Sequence, residues 1–453
     1  MGLDSFFRPQ SVAVIGASRN PRKPGHVIFR NFVENGYRGK VFAVNKNADQ
    51  ILGKRCYASV AAVKEPVELA VIAIAAAGVP QALEACGKAG VKAAIVVSGG
   101  FREVGNNGLE DKVVGVARKH GIRLVGPNCL GIFDAHSKVD TLFNPRYKLE
   151  RPVEGGISFI SQSGAVMSVV LDWMSMKGYR GGKFISYGNA ADVNEADLLR
   201  YLADDQHTKV VCMYIEGVAD GRRFFTVAKE AARKKPVVVL KGGITAAGSR
   251  AVSSHTGSLA GAAEVYKAAF RQAGVIEAED IEQLFDFARV LTTQPQPKGR
   301  RVQIITDGGG FGILTADWLA RLGMEPAVMS KAGLARIRMV SPAHVVTGSV
   351  IDLTGDADVE RYSAAIDAAL DDAGVDILVI IALFQLPALT SDIVEVVAEA
   401  NRLRKKPIIF IAAGGRFTEV LKKSLENEGV PTFSYPERAA EAAKALYRYR
   451  HGG

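Results

Sequence analysis

Cysteine is scarce and scattered in this chain. Only Cys56, Cys86, Cys129 and Cys212 occur among 453 residues, and no two form a C-x-x-C pair. That usage gives neither a disulfide framework nor a metal site, and it fits a reducing compartment. No run of about 18 apolar residues exists, so no membrane span is expected. Met1–Pro9 lacks the apolar core of a signal peptide, and the expected location is the cytoplasm. Arginine-rich tracts and aromatic–basic alternation are missing too. The net charge of +10 is spread along the chain; this suits anionic small molecules and argues against nucleic acid. With 48% hydrophobic and 23% charged residues, the composition is that of an ordinary globular protein.

What is present is an alternation of apolar strands and helical patterns that restarts twice. A polar stretch with two prolines, 144–154, and the Pro-rich Thr293–Arg300 mark the restarts. Three domains are expected, over 1–145, 150–292 and 300–453, as the length also suggests. Strands alternating with helices predict an α/β fold of doubly wound parallel sheets. Ligands of such sheets sit at the carboxyl ends of the strands.

In the first segment the strand Ser11–Ile15 runs into Gly16-Ala17-Ser18, with Lys23 shortly after. This is the Gly-rich kind of turn that brings backbone N–H groups to a phosphate. It does not match G-x-G-x-x-G. An acidic residue to hold ribose hydroxyls is also missing after the second strand, which ends Val44-Asn45-Lys46. A lysine there attracts an extra phosphate, such as NADP and coenzyme A both carry; an ordinary surface lysine fits the same pattern. Ser98-Gly99-Gly100-Phe101 and Gly126-Pro127-Asn128-Cys129-Leu130-Gly131 are further strand exits on the same edge. Cys129 reads as a small buried cysteine, because no activating cation stands beside it in sequence.

The second segment holds the stretch that most needs explaining. The strand Val237–Leu240 leads into Lys241–Gly261, rich in Gly, Ser, Thr and Ala, with His255 near its end. A helix is expected from Leu259 to Gln272. A strand-to-helix connection of that length asks for a functional reason. A histidine on a mobile loop is either a solvated bystander or a travelling nucleophile. The neighbouring strand, Val210–Ile215, delivers Glu216-Gly217 to the same sheet edge. A carboxylate that accepts from one imidazole nitrogen frees the other as a nucleophile. Earlier in this segment, strand 156–160 meets Ser161-Gln162-Ser163-Gly164 at a helix start. Free N–H groups and a positive dipole end suit phosphate there. The third segment repeats the device. Strand 301–305 meets Thr306-Asp307-Gly308-Gly309-Gly310 before another helix, though a tight structural turn fits equally well.

In this order and spacing, these motifs resemble the nucleoside-diphosphate-forming acyl-CoA synthetase superfamily, which includes succinyl-CoA synthetase. The similarity covers nearly the whole chain and is strongest to the α subunit of the ADP-forming acetyl-CoA type. It rests on Gly16-Ala17-Ser18, Gly126–Gly131, Ser161–Gly164, Ile215-Glu216-Gly217, Ser254-His255-Thr256-Gly257 and Thr306–Gly310. The resemblance implies a Rossmann-like CoA-binding domain followed by two flavodoxin-like domains. CoA would be held by Gly16, Ser18, Lys23, Lys46, Ser98, Gly99 and Asn128. His255 would be phosphorylated transiently and steadied by Glu216. Ser161, Ser163, Gly164, Gly309 and Gly310 would hold inorganic phosphate, the two helix starts bracketing it. No stretch is left over for an ATP-grasp module. The resemblance therefore implies a separate ATP-grasp β subunit carrying ADP/ATP with Mg2+, in an α2β2 heterotetramer. The chain itself would carry no metal. Where relatives have Asn-Pro before a hydrophobic-Asp-Leu triplet, this chain reads Ser349-Val350.

Two other readings compete with an acid–CoA ligase subunit. A non-catalytic CoA-binding regulator of the same fold would not need both His255 and Glu216. An NADP-linked oxidoreductase would need a hydride-transfer site, and the second and third segments offer none. Titration by calorimetry should therefore register CoA binding and no NADP binding; the reverse preference would overturn the ligand assignment.

Overall fold

A computed structural model describes residues 2–256 and 263–451; the side chains of 253–256 lie outside that description. The chain forms two compact units, one ending at Ile281 and the other beginning at Glu282. The first unit holds two sheets and the second holds one.

The first sheet is built from β1 (Ser11–Ile15), β2 (Lys40–Val44), β3 (Gln50–Ile51), β4 (Lys54–Tyr57), β5 (Leu69–Ile72), β6 (Ala93–Val96) and β7 (Arg123–Val125). Their order is β3-β4-β2-β1-β5-β6-β7, all parallel except the β3–β4 pair. The chain fills the sheet outward from β1 in both directions. The order reverses between β1 and β5, so Gly16 exits at the switch point. Nearly every side chain in β1, β5 and β6 is buried, as strands covered on both faces require.

The second sheet takes β8 (Gly131–Asp134), β9 (Glu154–Ser161), β10 (Gly181–Ser186), β11 (Val210–Ile215), β12 (Val237–Lys241) and β13 (Ile276–Ala278) in the order β13-β12-β11-β9-β10-β8. β9 to β13 have the flavodoxin arrangement, a central first strand flanked by the second and third. β8 is the surprise. It follows the first sheet in sequence but pairs antiparallel with β10, Asp134 opposite Lys183. Lys183 is 1% exposed. Its Nζ donates to both Asp205 oxygens at 3.0 Å and lies 3.5 Å from Asp134. This buried triad clamps the late strand to its sheet. The opening helix, Asp4–Phe7, reaches the same place: Phe7 stacks on Tyr201 at 4.6 Å, and the Tyr201 hydroxyl donates to Asp4 at 3.2 Å.

The second unit contains β14 (Arg301–Thr306), β15 (Glu325–Pro326), β16 (Val350–Asp352), β17 (Ile377–Ile381), β18 (Ile408–Ile411) and β19 (Thr432–Phe433). The order β15-β14-β17-β18-β19 repeats the flavodoxin arrangement, and β16 also pairs with β14. The expected α/β architecture of three doubly wound sheets is thus present, with antiparallel pairs at two edges. Ser349-Val350 leads into β16; the Ser349 carbonyl accepts from Gln303 Nε2 at 3.1 Å.

One expectation is corrected. Lys241–Gly261 is not a continuous loop: Ala246–Thr256 is helical, and the following helix runs Ala263–Ala273. Alanines 246, 247 and 251 favour helix strongly enough to offset Gly248. Thr245 Oγ1 accepts from the Gly248 N–H at 3.0 Å, as an N-cap does.

Lys183→Met should be strongly destabilising, because it leaves buried Asp134 without its cation and Asp205 with only Arg8, 3.6 Å away. The expected loss is roughly 3–5 kcal/mol, read as an earlier first transition in urea. An unmoved transition would show that the triad gives the fold no net support.

Candidate functional site

The carboxyl edges of the first two sheets meet around one cavity of about 710 Å3. The joint is made by two turns. Gly126–Gly131 leaves the first sheet, and Gly188-Asn189 leaves β10. Gly188 has φ +55, and a Cβ there would lie 2.2 Å from the Asn128 carbonyl oxygen; only glycine permits this approach. The Asn189 N–H donates to Pro127 O at 3.0 Å. Its side-chain amide donates to Glu103 at 2.7 Å and Glu110 at 2.8 Å.

On the second-sheet wall, the helix Gly164–Lys177 starts at the cavity. Ser163 is its N-cap, accepting from the Val166 N–H at 3.3 Å. Among the described residues, the N–H groups of Gly164 and Ala165 have no protein acceptor. Both residues line the cavity and offer it a positive helix end. Ser161 is fully buried, and its hydroxyl donates to the Ser163 carbonyl at 2.7 Å, which braces the turn.

Glu216 ends β11 beside this helix start and is 6% exposed. The N–H groups of Glu216 and Gly217 both donate to Gln162 Oε1, at 2.8 and 3.2 Å. Glu216 Oε1 accepts from the Tyr214 hydroxyl at 3.3 Å. Oε2 is buried and has no partner among the described residues. Lys241 is buried as well, with its Nζ donating to the Glu216 backbone carbonyl at 2.7 Å and lying 4.7 Å from the Tyr266 ring centre. Burial lowers the Lys241 pKa, against the pull of Glu216. The pair β11–β12 is parallel, Ile215 opposite Lys241, so Glu216 and the segment leading to His255 leave one edge together. His255 falls in the last turn of Ala246–Thr256, and its side chain lies outside the described residues. That helix approaches the turn Arg102–Val104, whose Arg102 and Glu103 line the cavity.

The first-sheet residues form a strip along the same edge. Gly16 has φ +93, and a Cβ on Gly25 would lie 2.0 Å from the Gly16 carbonyl oxygen. The helix Pro24–Glu34 therefore begins directly against the Gly16–Ser18 turn, without a side-chain cap. Lys23 and Lys46 are exposed, and among the described residues neither enters an ion pair. The Ser98 hydroxyl donates to Ile74 O. Gly99 faces Asn128, whose Oδ1 would lie 3.2 Å from an added Cβ. Asn128 is exposed, left-handed at φ +57, and lines the cavity. Cys129 is buried, and burial pushes its thiol up to about 12; it is no nucleophile.

Gly309 and Gly310 begin the helix Gly309–Arg321 of the second unit, again without a side-chain cap. A Cβ on Gly309 would lie 2.5 Å from Asp352 Oδ2, whereas Gly310 faces open space. Asp307 beside them is buried and accepts from the Leu383 N–H at 3.0 Å; burial pushes its pKa up to about 6.

The structure thus brings Asn128, Ser163, Gly164 and Glu216 to one cavity. Gly16, Ser18, Lys23 and Lys46 sit along the neighbouring strip. Gln162 and Lys241 escaped sequence reasoning as site residues, whereas Gly188-Asn189 is legible there as a candidate site edge. Gln162 alone left a signal, an amide between two serines at a strand exit.

Three protein-family models match the chain: a CoA binding domain over residues 10–135, a succinyl-CoA ligase like flavodoxin domain over 154–291, and a ligase-CoA domain over 302–452. The α subunit of acetate–CoA ligase [ADP-forming] II from Pyrococcus furiosus is 40% identical over 98% of this chain and 97% of that protein. Acetate–CoA ligase [ADP-forming] I from Archaeoglobus fulgidus is also 40% identical, over 99% of this chain, which spans only 64% of that relative. A solved structure from Ca. Korarchaeum cryptofilum, a dinucleotide forming acetyl-coenzyme A synthetase 1 in complex with phosphate and ADP, is similar with TM-score 0.94 and 34% identity, covering 99% of this chain and 97% of that one.

Gln162→Leu should leave the Glu216 and Gly217 N–H groups unpaired in a buried place. Each is expected to cost about 1–3 kcal/mol, seen as a lower urea midpoint with CoA affinity retained. An unchanged midpoint would mean that Gln162 does not hold the Glu216 turn.

Proposed function

This chain belongs to the family of ADP-forming acetate–CoA ligases, and from that premise we propose that it carries the CoA-binding and phosphoryl-accepting half of the reaction. Acyl-CoA, ADP and phosphate would become a carboxylic acid, ATP and CoA. The observation that carries this reading is the buried Oε2 of Glu216, unpaired among the described residues. A buried acceptor without a partner is costly. An imidazole N–H from the neighbouring His255 segment would satisfy it, and the second ring nitrogen would then be free to attack phosphorus.

The strip beside β1 suits the nucleotide end of CoA. An uncapped helix start offers its positive end to the pyrophosphate. The exposed Lys23 and Lys46 suit the ribose phosphate. Asn128, with Ser98 and Gly99 close behind it, leads from this strip towards the cavity. There the Ser163–Gly164 helix start would hold inorganic phosphate. A phosphate oxygen attacks the thioester carbon, the C–S bond breaks, and an acyl phosphate forms. His255 then takes the phosphoryl group, releasing the acid, with Glu216 stabilising the charge on its ring. The Gly309–Gly310 helix start is a second anion cradle of the same design.

Transfer from phosphohistidine to ADP would take place on a partner β subunit of ATP-grasp type, which supplies Mg2+ and the nucleotide, in an α2β2 assembly. Relatives described as α subunits support the need for such a partner. Among the described residues, no group of three or more His, Cys, Asp or Glu is placed to hold a metal, and no helix is long and apolar enough to cross a membrane.

The test uses this chain with its partner, labelled ATP and magnesium. Acid-labile, base-stable label is expected on the wild type and absent from His255→Ala. Glu216→Gln should slow labelling at least about tenfold, or about 1.4 kcal/mol in the barrier. An unlabelled wild type in the presence of the partner would overturn the ligase reading.

A further inference from the structure

One acidic residue in the cavity has no part in the chemistry so far. Glu195 is the first residue of the helix Glu195–Asp204, and the Asn194 N-cap beside it is locked by a capping box with Asp197. Such first-turn acids are usually solvated, yet Glu195 is 4% exposed and lines the same cavity as Gln162, Ser163, Gly164 and Glu216. Tyr187, just after β10, feels the Glu195 charge and is fully buried, its hydroxyl unpaired among the described residues.

The other titratable residues lining the cavity are committed. Arg102 pairs with Glu110 at 3.1 Å. Burial raises the Glu103 pKa, but hydrogen bonds from Asn189, Gly100 and Phe101 outweigh it and hold the carboxyl ionised below the usual range. Cys129 keeps its proton and directs it to Val96 O at 3.4 Å. Glu216 is reserved for the imidazole. Only Glu195 and Glu216 combine burial, a place on the wall and freedom from an ion pair among the described residues, and Glu216 already has its role.

Resting on the ligase reading, we infer that Glu195 is the proton shuttle of the acyl-CoA half-reaction. As thioester and HPO4 2− react, the carbonyl carbon gains the phosphate oxygen and loses sulfur. The Glu195 carboxylic acid gives its proton to the departing CoA sulfur, which leaves as thiol. The new acyl phosphate holds its remaining P–OH proton more weakly than phosphate did, and the Glu195 carboxylate takes it. The residue ends as it began. The net change is acyl thioester plus HPO4 2− to acyl phosphate dianion plus thiol, with no proton gained from solvent.

The protonation state required at the start is the one the surroundings favour. Burial pushes the Glu195 pKa up to about 7; its own backbone N–H and Arg223 pull it down, Asp197 and Asp220 push it up. Arg223 is itself engaged by Asp197. Tyr187 and Tyr266 also face Glu195 and are neutral in this range, their pKa values raised by burial. A general acid works best with a pKa near the working pH. Because the acid form starts the cycle, its contribution is full below about pH 7 and is lost as pH rises through that value.

The experiment compares wild type with Glu195→Gln, each with the β partner. The readout is kcat/KM for ATP formation from acetyl-CoA, ADP and phosphate. Glutamine keeps the shape but moves no proton. The ratio of wild type to variant cancels the titration of phosphate and of the partner. It should be about 10²-fold at about pH 6 and shrink towards about pH 8.5. Glu195→Asp keeps a titrating group and should keep the falling limb. Phosphohistidine labelling from ATP breaks no thioester and should survive in Glu195→Gln, which also shows that the variant is folded. If wild type and Glu195→Gln both label and their ratio is flat with pH, the shuttle is overturned while the ligase reading stands. If Glu195→Gln does not fold, the Asp variant decides: loss of its falling limb overturns the inference. If wild type itself does not label, the ligase reading fails first.

Discussion

Everything at the site depends on the close contact of two turns from different sheets. The Gly126–Gly131 turn and Gly188-Asn189 approach so closely that no side chain fits between them. Asn189 is then fastened to Glu103 and Glu110 by one amide. Parallel sheets present ligand sites at their carboxyl edges. Two such edges become one cavity only if they are held face to face, and backbone contact fixes the spacing more tightly than side chains would. Asn128 and the helix start at Gly164 line the same cavity for that reason.

Within this frame the polar groups divide into those that are satisfied and those that are left open. Gln162 uses one oxygen to hold two backbone N–H groups, and Lys241 caps the Glu216 carbonyl. The Glu216 backbone is therefore held on both sides, while one oxygen of its side chain lacks a partner among the described residues. The helix start at Gly164 is treated likewise: among the described residues, Ser163 satisfies the third N–H and the first two have no acceptor. Unmet hydrogen-bonding capacity in a buried place favours a ligand that completes it.

Much of this was legible in the sequence because it is local. Apolar runs ending in Gly-rich turns located the strand exits at Gly16, Ser98, Gly126, Ser161 and Glu216, and parallel winding put them on common edges. The stretch around His255 misled because its small residues read as loop, whereas its alanines and the Thr245 cap make Ala246–Thr256 helical. Glu195 was illegible for a different reason. A glutamate one residue after an Asn cap looks like an ordinary first-turn acid, and only tertiary packing encloses it. Gln162 and Asn189 act through partners 54 and 86 residues away, as far as Glu216 and Glu103. No window of sequence shows such pairs.

The placement of β8 bears on how such a chain can be divided in evolution or in the laboratory. It is made by the end of the first segment, yet it closes the edge of the second sheet. A cut placed after it would strip that sheet of its border strand, strand Lys183 beside one carboxylate instead of two, and expose the N–H and C=O row of β10. Bare strand edges invite pairing with other chains. The first two sheets must be inherited, shuffled and expressed as one piece.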